Sequence, residues 1–319
     1  MRVSLRVAAP SDDELGMIAA IINVVSPEEP TSIDEMRWAD ETYPGGNRYV
    51  ATDGERPVGV ATVGRVYMYP PEFPAFWATL HVLAADRGRG VGSALLSAVS
   101  EWARAAGKPE LMTRVWEAHP DAIDFLHHRG FREYERDKAV ELRLEGRRPP
   151  PIDLPAGVLV TSLADRPDLV TGVHVVASET FADIPGGGEP IAVGDLEAFR
   201  ARDVDRPSIP HRAFMIATEA STGRVIGYAS LILAPGEPPR KAWHDMTAVA
   251  RAWRGRGVAS ALKRATIGWA IDNGLAVLEA GNDTDNAAMR TVNARLGYAP
   301  IPDHVTMRGP LFDGIMGSS

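Results

Sequence analysis

The stretch Arg254-Gly255-Arg256-Gly257-Val258-Ala259 decides how the rest of the 319-residue chain is read. A strand-like run, Trp243 to Val249, precedes it, and a helix-like run, Val258 to Asn273, follows. Glycines allow a tight turn that points successive backbone N–H groups into one concavity. A helix start adds free N–H groups and the positive end of the helix dipole, so the turn suits a phosphate or pyrophosphate. The arginines add charge-assisted hydrogen bonds. A lone motif of this kind is also compatible with an ordinary strand-to-helix turn. Two other glycine-rich phosphate motifs do not fit. A Walker-type loop needs a lysine that is missing, and a dinucleotide fingerprint needs G-x-G-x-x-G, whereas Ser260 follows Gly255 and Gly257.

Working outward, a near copy lies at Arg87-Gly88-Arg89-Gly90-Val91-Gly92, 167 positions upstream. The same offset relates Trp102 to Trp269, Gly107 to Gly274, Leu111 to Leu278 and Gly130 to Gly297. An ungapped register over so many unusual residues marks an internal repeat. The chain reads as two copies of one fold in tandem: residues 1–146, a linker at 147–154 built on Arg147-Arg148-Pro149-Pro150-Pro151, and residues 155–319. Three consecutive prolines favour an extended, stiff spacer.

Each copy alternates strand and helix patterns. In the first, Val3 to Val7 reads as a strand and Ser11 as the cap of a helix running to about Val25. A short helix from Ser32 to Glu41 follows, then a hairpin around Asp53-Gly54 and a strand from Phe76 to Val82. After the glycine turn, Val91, Leu95, Val99 and Trp102 fall on one helical stripe that ends at Gly107. A strand from Leu111 to Trp116, a helix from Asp121 to Arg129 and a last strand from Ala139 to Leu144 complete the copy. The second copy repeats this order, with helices near Leu169 to Thr180 and Val193 to Arg202 and a closing strand near Val305. Its glycine-rich segment from Asp183 to Gly194 reads as a mobile lid or a long loop.

The fold class is α/β, two domains that each carry a mixed central sheet flanked by helices. Hydrophobic content of 45% and charged content of 24% are those of a soluble globular protein. No apolar run spans a bilayer, and the N-terminus lacks a signal-peptide core. A net charge of −8 argues against nucleic-acid binding. Cysteine is absent, which removes disulfides, thiolate metal sites and a cysteine nucleophile. Together these features lead us to expect a cytoplasmic location, no metal, and a monomer or homodimer. The basic residues include only four lysines, Lys108, Lys138, Lys241 and Lys263, an arginine bias read as composition rather than mechanism.

The run Val-x-x-x-x-Arg-Gly-Arg-Gly-Val-Gly/Ala, an amphipathic helix and a later Gly-Phe or Gly-Tyr resemble the GCN5-related N-acetyltransferases, in both halves of the chain. The layout is similar to that of the mycothiol synthases. The resemblance implies an acyl-CoA-dependent N-acyltransferase that moves acetyl from acetyl-CoA directly to a primary amine. It implies that the turns hold the pyrophosphate: Val82, Arg87, Gly88, Arg89, Gly90, Val91 and Gly92 in the first copy, and Val249, Arg254, Gly255, Arg256, Gly257, Val258 and Ala259 in the second. It also implies a bulged strand before the turn that splays from its neighbour, with pantetheine in the gap. A small-molecule amine is the expected acceptor. A peptide or protein amine, or a non-catalytic acyl-CoA-binding regulator, are the alternatives.

The family's usual tyrosine acid aligns with Leu126 and Asn293, neither of which is tyrosine. Asn282, Asn286 and Asn293 stand where the first copy has Val115, His119 and Leu126, so the second copy is expected to work. Asn293 is then the candidate partner of sulfur or pantetheine. Asn282 and Asn286 are candidate readers of the pantetheine amides, or caps of the helix that follows. Asp245 is the candidate base; its counterpart Ala78 cannot act. His244, its neighbour, faces the opposite side of the strand. Glu117 is the first copy's best base. His127 and His128 are neighbours on a helix, a poor metal pair. Trp77, Tyr67 and Trp116 read as core or cleft lining.

Overall fold

The computed structural model describes residues 3–184, 191, 193–236 and 240–314. The first half runs β1 (Val3–Val7), α1 (Asp12–Val25), α2 (Ile33–Thr42), β2 (Asn47–Asp53), β3 (Arg56–Arg65), β4 (Ala75–Val82), α3 (Val91–Ala105), β5 (Glu110–Trp116), α4 (Pro120–His127) and β6 (Arg132–Arg143). The second runs β7 (Val158–Ser162), α5 (Val170–Thr180), α6 (Leu196–Phe199), β8 (Met215–Glu219), β9 (Val225–Leu233), β10 (Lys241–Val249), α7 (Val258–Asp272), β11 (Val277–Asp283), α8 (Ala287–Leu296), β12 (Ala299–Pro300) and β13 (His304–Pro310). Where a helix from Val193 to Arg202 was expected, α6 is one turn, capped by the Asp195 carboxylate on the Ala198 N–H at 2.8 Å. It continues as a π-helical turn over Arg200–Val204. The Asp183 to Gly194 segment is described only at its two ends and at Ile191; the rest of that glycine-rich stretch lies outside the described residues.

The helix stripes form for the reasons the spacing suggests. In α3, Val91, Leu95, Leu96, Val99 and Ala103 are buried against β2, β3 and β4. Ser11 accepts the Glu14 N–H to start α1, and Ser32 accepts the Glu35 N–H to start α2. Each cap satisfies a donor that has no partner inside the helix.

Contacts divide the chain into two compact units: Met1–Arg136 with His304–Ser319, and Asp137–Asp303. These are not the two sequence copies. In the first unit the strand order is β1-β2-β3-β4-β5-β13, parallel only between β4 and β5. In the second it is β7-β8-β9-β10-β11-β6, parallel only between β10 and β11, with β12 added to β6. The strand expected to close the first copy, β6, pairs with β11 of the second, from Asp137↔Asp283 to Arg143↔Val277. The closing strand of the second, β13, pairs with β5, from His304↔Trp116 to Pro310↔Glu110. Burial explains why β13 stays there. Val305 and Met307 enter the first unit's core with Leu111 and Phe131. Gly309 passes so close to Phe131 that a Cβ would lie 2.5 Å from its Cγ.

Met307, with no exposed surface, therefore stabilises the unit distant from it in sequence. Met307→Ala is expected to cost about 3 kcal/mol. Hydrogen exchange should show faster opening of α3 and β5, with α7 unaffected.

The proline run also differs in role. Because β6 from Asp137 onward belongs to the second unit, residues 147–154 connect two strands of that unit rather than two domains. The run lies along α7: Arg264 donates to the Pro151 carbonyl at 3.1 Å, and Pro149 lies 3.7 Å from where a Gly268 Cβ would stand.

Candidate functional site

The two glycine turns share one geometry. Gly88 and Gly90 have φ of 70° and 85°, and Gly255 and Gly257 have 73° and 91°. Gly90 and Gly257 are the N-caps of α3 and α7, and no side chain caps either helix. The first N–H groups of both helices therefore face outward without an intrahelical acceptor. The first arginine locks the turn in the same way in each copy: Arg87 Nε donates to Val82 O at 3.1 Å, and Arg254 Nε to Val249 O at 3.0 Å. Val91 and Val258 anchor the helix starts in the core.

The surroundings of the turns differ. In the first unit Asp86 is buried beneath the turn, held by Arg56 at 2.8 Å and Arg89 at 3.3 Å. Hydrogen bonds from Arg56 first, and then Arg89, keep its carboxyl below the usual range. Arg89 is thus already committed to a carboxylate. Trp253 replaces Asp86 in the second copy, and Arg256 stacks over its ring at 5.0 Å, with no ion pair among the described residues. Arg254 also reaches Asp183 at 2.7 Å, beside Arg251 at 2.6 Å, and these two hold the Asp183 carboxyl at about 2.

The strands before the turns also differ. Pairing of β4 with β5 stops at Trp77↔Met112, and pairing of β10 with β11 at Trp243↔Glu279, so both pairs part toward the turn. Only the second copy adds a bulge. The β9–β10 register shifts between His244 and Thr247, so that Asp245 and Met246 together face Ser230, while β3–β4 runs without a shift. A bulge leaves backbone groups unpaired and re-aims side chains. In the first unit apolar groups pack against the start of α3. A Cβ on Gly92 would lie 3.2 Å from the Phe125 ring and 3.9 Å from Val82, and Arg129 stacks on that ring at 3.6 Å.

In the second unit the bulge turns Asp245 toward solvent, where it accepts from the Ser230 hydroxyl at 3.1 Å. Protein surrounds its other sides, and this burial raises its pKa against the opposing pull of Arg206, Ser230 and Arg202. Ala78, the counterpart, is a buried core residue. Two groups not singled out in the sequence adjoin Asp245. Asp203, on the π-helical turn, is held by Arg202 at 2.9 Å, yet burial lifts its carboxyl to about 6. The buried Tyr228 hydroxyl has no hydrogen-bond partner among the described residues and feels the charges of both carboxylates. The available signal was Tyr228 and Ser230 on one face of β9, where the first copy has Ala61 and Val63.

On β10, β11 and α8 several buried polar atoms lack a partner among the described residues: Asn282 Nδ2, both amide atoms of Asn293, Thr247 Oγ1 and His244 Nδ1. Leaving such a group unsatisfied costs about 1–3 kcal/mol, so their grouping marks a place for a hydrogen-bonding guest. Asn286 is placed differently. Its Oδ1 accepts the Met289 N–H at 3.1 Å as the N-cap of α8. In the first unit Glu117 is engaged by Arg136 at 2.6 Å, and His127 and His128 bond to the carbonyls of Phe131 and Asp124. Trp77 and Trp116 are half-buried strand residues, and Tyr67 donates to Pro44 O. Among the described residues no group of three or more His, Cys, Asp or Glu side chains is arranged to hold a metal, and no helix is long and apolar enough to cross a membrane.

On the other face of β10, His244 Nε2 lies 2.6 Å from Tyr298 Oη, and Lys263 Nζ sits 5.3 Å from the centre of the Tyr298 ring. Lys263 is almost wholly buried, and burial brings its ammonium down to about 7. The folded chain holds this proton less tightly than the unfolded chain. The resulting penalty is complete below about pH 7 and fades as pH rises toward lysine's ordinary 10.5. Lys263→Leu is accordingly expected to raise Tm by a few degrees at pH 6 and to lose that advantage near pH 10, as read by thermal melts.

No curated protein matches the sequence significantly. Solved structures do resemble the fold. A tandem GNAT protein from the clavulanic acid biosynthesis pathway is 22% identical, with all of both chains covered and a TM-score of 0.77. A GCN5-related N-acetyltransferase from Sphaerobacter thermophilus is 19% identical over 98% of this chain and 97% of that one, with a TM-score of 0.71. The glucosamine N-acetyltransferase region of a fungal multi-domain GH3 beta-N-acetylglucosaminidase is 15% identical, covering 96% of this chain and 38% of that one, with a TM-score of 0.69. The Acetyltransferase (GNAT) family model matches twice, over residues 18–131 and 183–298, and the chain belongs to that family.

Proposed function

We propose that the protein transfers an acyl group, acetyl first among them, from acyl-CoA to the primary amine of a small molecule, and that the second unit carries out the reaction. One observation supports this reading: β10 is bulged at Asp245 and Met246, just beyond its last pairing with β11 and on the strand that leads to the glycine turn, whereas the first copy has an unshifted strand and Ala78 there. The N–H groups at the start of α7, with Arg254 and Arg256, would hold the pyrophosphate. The unpartnered atoms of Asn282 and Asn293 suit the amides of pantetheine. Acyl-CoA brings the activated thioester when bound.

The chain's own part follows from these positions. The bulge at Asp245 and Met246 breaks the regular β9–β10 register, and a backbone N–H released there would be suited to polarise a carbonyl. Asp245 takes the proton from the attacking amine, and its raised pKa brings it nearer the working pH of a base. Asp203 and the Tyr228 hydroxyl give the amine end of the cleft further groups to meet a cation. The half-buried Ile184, Ile191, Ile232 and Met246 offer the acceptor an apolar wall. The first unit keeps the turn, but Phe125 packs against its helix start and no acid stands at Ala78.

The test is free-thiol release from acetyl-CoA across a panel of primary amines, small molecules and peptides alike. Small amines should give turnover, and Asp245→Asn should remove it. Tight CoA binding with no turnover on any amine would favour a regulatory acyl-CoA-binding protein. Turnover on peptides alone would move the acceptor to protein.

A further inference from the structure

The three residues on the far face of β10 have counterparts in the first copy, and the comparison is informative. At the same 167-residue offset, His244 matches Trp77, Lys263 matches Leu96 and Tyr298 matches Phe131. Leu96 and Phe131 are fully buried apolar core residues. One fold thus fills these positions with a tryptophan, a leucine and a phenylalanine in one copy and with a histidine, a lysine and a tyrosine in the other. Burying a lysine without an ion pair is unfavourable, and among the described residues Lys263 makes none. Packing does not call for the trio, since the first copy folds without it. Titratable groups kept in a core at the expense of stability point to chemistry.

Their placement says which chemistry. His244 is the first residue of β10 beyond its last pairing with β11, so it stands where the strand gap opens. Its Nε2 is 2.6 Å from Tyr298 Oη, and its Nδ1 is buried with no partner among the described residues. Tyr298 is tied to α8 by its own N–H on Asn293 O at 3.1 Å. Asn293 occupies the position expected to carry an acid, but an amide has no proton to give at neutral pH. A departing thiolate at this gap needs a proton from elsewhere.

We infer that Lys263, Tyr298 and His244 form a proton-delivery line that protonates the thiolate leaving from acyl-CoA in the second unit. This rests on the function proposed above. As the amine nitrogen bonds to the acyl carbon and gives its proton to Asp245, the carbon–sulfur bond breaks. The sulfur takes the proton on His244 Nδ1. His244 Nε2 is refilled from the Tyr298 hydroxyl, and Tyr298 is refilled from the Lys263 ammonium, which lies 5.3 Å from the centre of its ring. Lys263 ends neutral, Asp245 ends protonated, and solvent restores both. His244 is the residue that touches the reacting atoms, while Tyr298 and Lys263 act through it. The imidazole conducts rather than stores the proton, since burial and the Lys263 charge keep it neutral. Burial pushes the Tyr298 hydroxyl well above its ordinary value, with the Arg147 guanidinium opposing in part, so Tyr298 gives and takes its protons together and does not rest as a phenolate.

The test uses the full-length protein and Tyr298→Phe, the residue the first copy already carries there. With acetyl-CoA and an amine that supports turnover, kcat should fall about 100-fold with KM for the amine unchanged. The selenoester analogue of acetyl-CoA leaves as a selenolate that needs no proton, and with it the loss should shrink to about threefold, within the range of incidental effects. Equal losses on both donors would mean that the hydroxyl is merely structural and would overturn the inference, as would unchanged turnover of acetyl-CoA. An assay-independent arm reads the imidazole directly. Nitrogen-15 NMR should show His244 protonated at Nδ1, and that signal should move on adding CoA but not desulfo-CoA. An Nε2-protonated ring, or equal responses to the two ligands, would also overturn it. Absence of CoA binding by calorimetry would refute the acyl-CoA reading itself, while the tautomer measurement still decides whether His244 is set to donate from Nδ1.

Discussion

Gly257→Val is expected to lower the affinity of the protein for CoA by about 100-fold, roughly 2.7 kcal/mol. Gly257 caps α7 with φ at 91°, a region that a β-branched side chain avoids. Adopting it costs an L-residue about 1–2 kcal/mol. The alternative is for the turn to reshape, which turns the first N–H groups of α7 away from one another. Either way the concavity that suits a pyrophosphate is lost. Gly90→Val makes the same change in the first unit, where φ is 85° and Arg89 is already bound to Asp86. It should leave the measured affinity within about twofold, because only interactions with the ligand should register. Calorimetry on the two variants separates the sites, and unchanged CoA binding by Gly257→Val would remove the pyrophosphate from this turn.

Asp245→Asn is expected to reduce kcat by about 100- to 10,000-fold, the range of a lost general base. The pH dependence gives a second sign. A base works deprotonated, so activity should rise with pH through the Asp245 pKa, which burial has raised above the ordinary carboxylate value. That acidic limb should vanish in the asparagine variant. Stability should move the other way. A carboxyl with a raised folded pKa binds its proton more tightly when folded, so its ionised form weighs against folding at neutral pH. Asp245→Asn should therefore melt no lower than the parent at pH 7. Loss of activity with an intact pH profile would remove Asp245 as the base.

The parts of this arrangement that the sequence displayed are those set by local backbone chemistry. Gly255 and Gly257 need a left-handed turn whatever surrounds them, and α3 and α7 carry their apolar stripe in consecutive residues. The unequal copies also showed at Asp245 and Ala78. What could not be read was set by partners distant in the chain. β6 and β13 have similar alternating patterns, so either could close either unit. The pattern fixes which face is buried but not which edge is joined. The bulge depends on Ser230 meeting two residues of β10, which no single strand reveals. Asn286 had two readings, and the structure shows the cap. His244, Lys263 and Tyr298 were each ordinary alone. Their signal lies in the 167-residue register, where Trp77, Leu96 and Phe131 of the first copy stand against a histidine, a lysine and a tyrosine.

The exchange of β6 and β13 bears on how the protein is made. Ribosomes release the chain from its N-terminal end, so the first unit emerges with β1 to β5 in place while the strand that lines β5 is still untranslated. Its core stays open at Val305 and Met307 until the second unit's sequence has been synthesised. The second unit, by contrast, holds all of its strands once Asp303 has left the tunnel. The half synthesised later is thus the first able to finish folding. A released chain truncated after Asp303 should show a protease-resistant second unit and a still-labile first one, with β5 exposed as an edge for chaperones to guard.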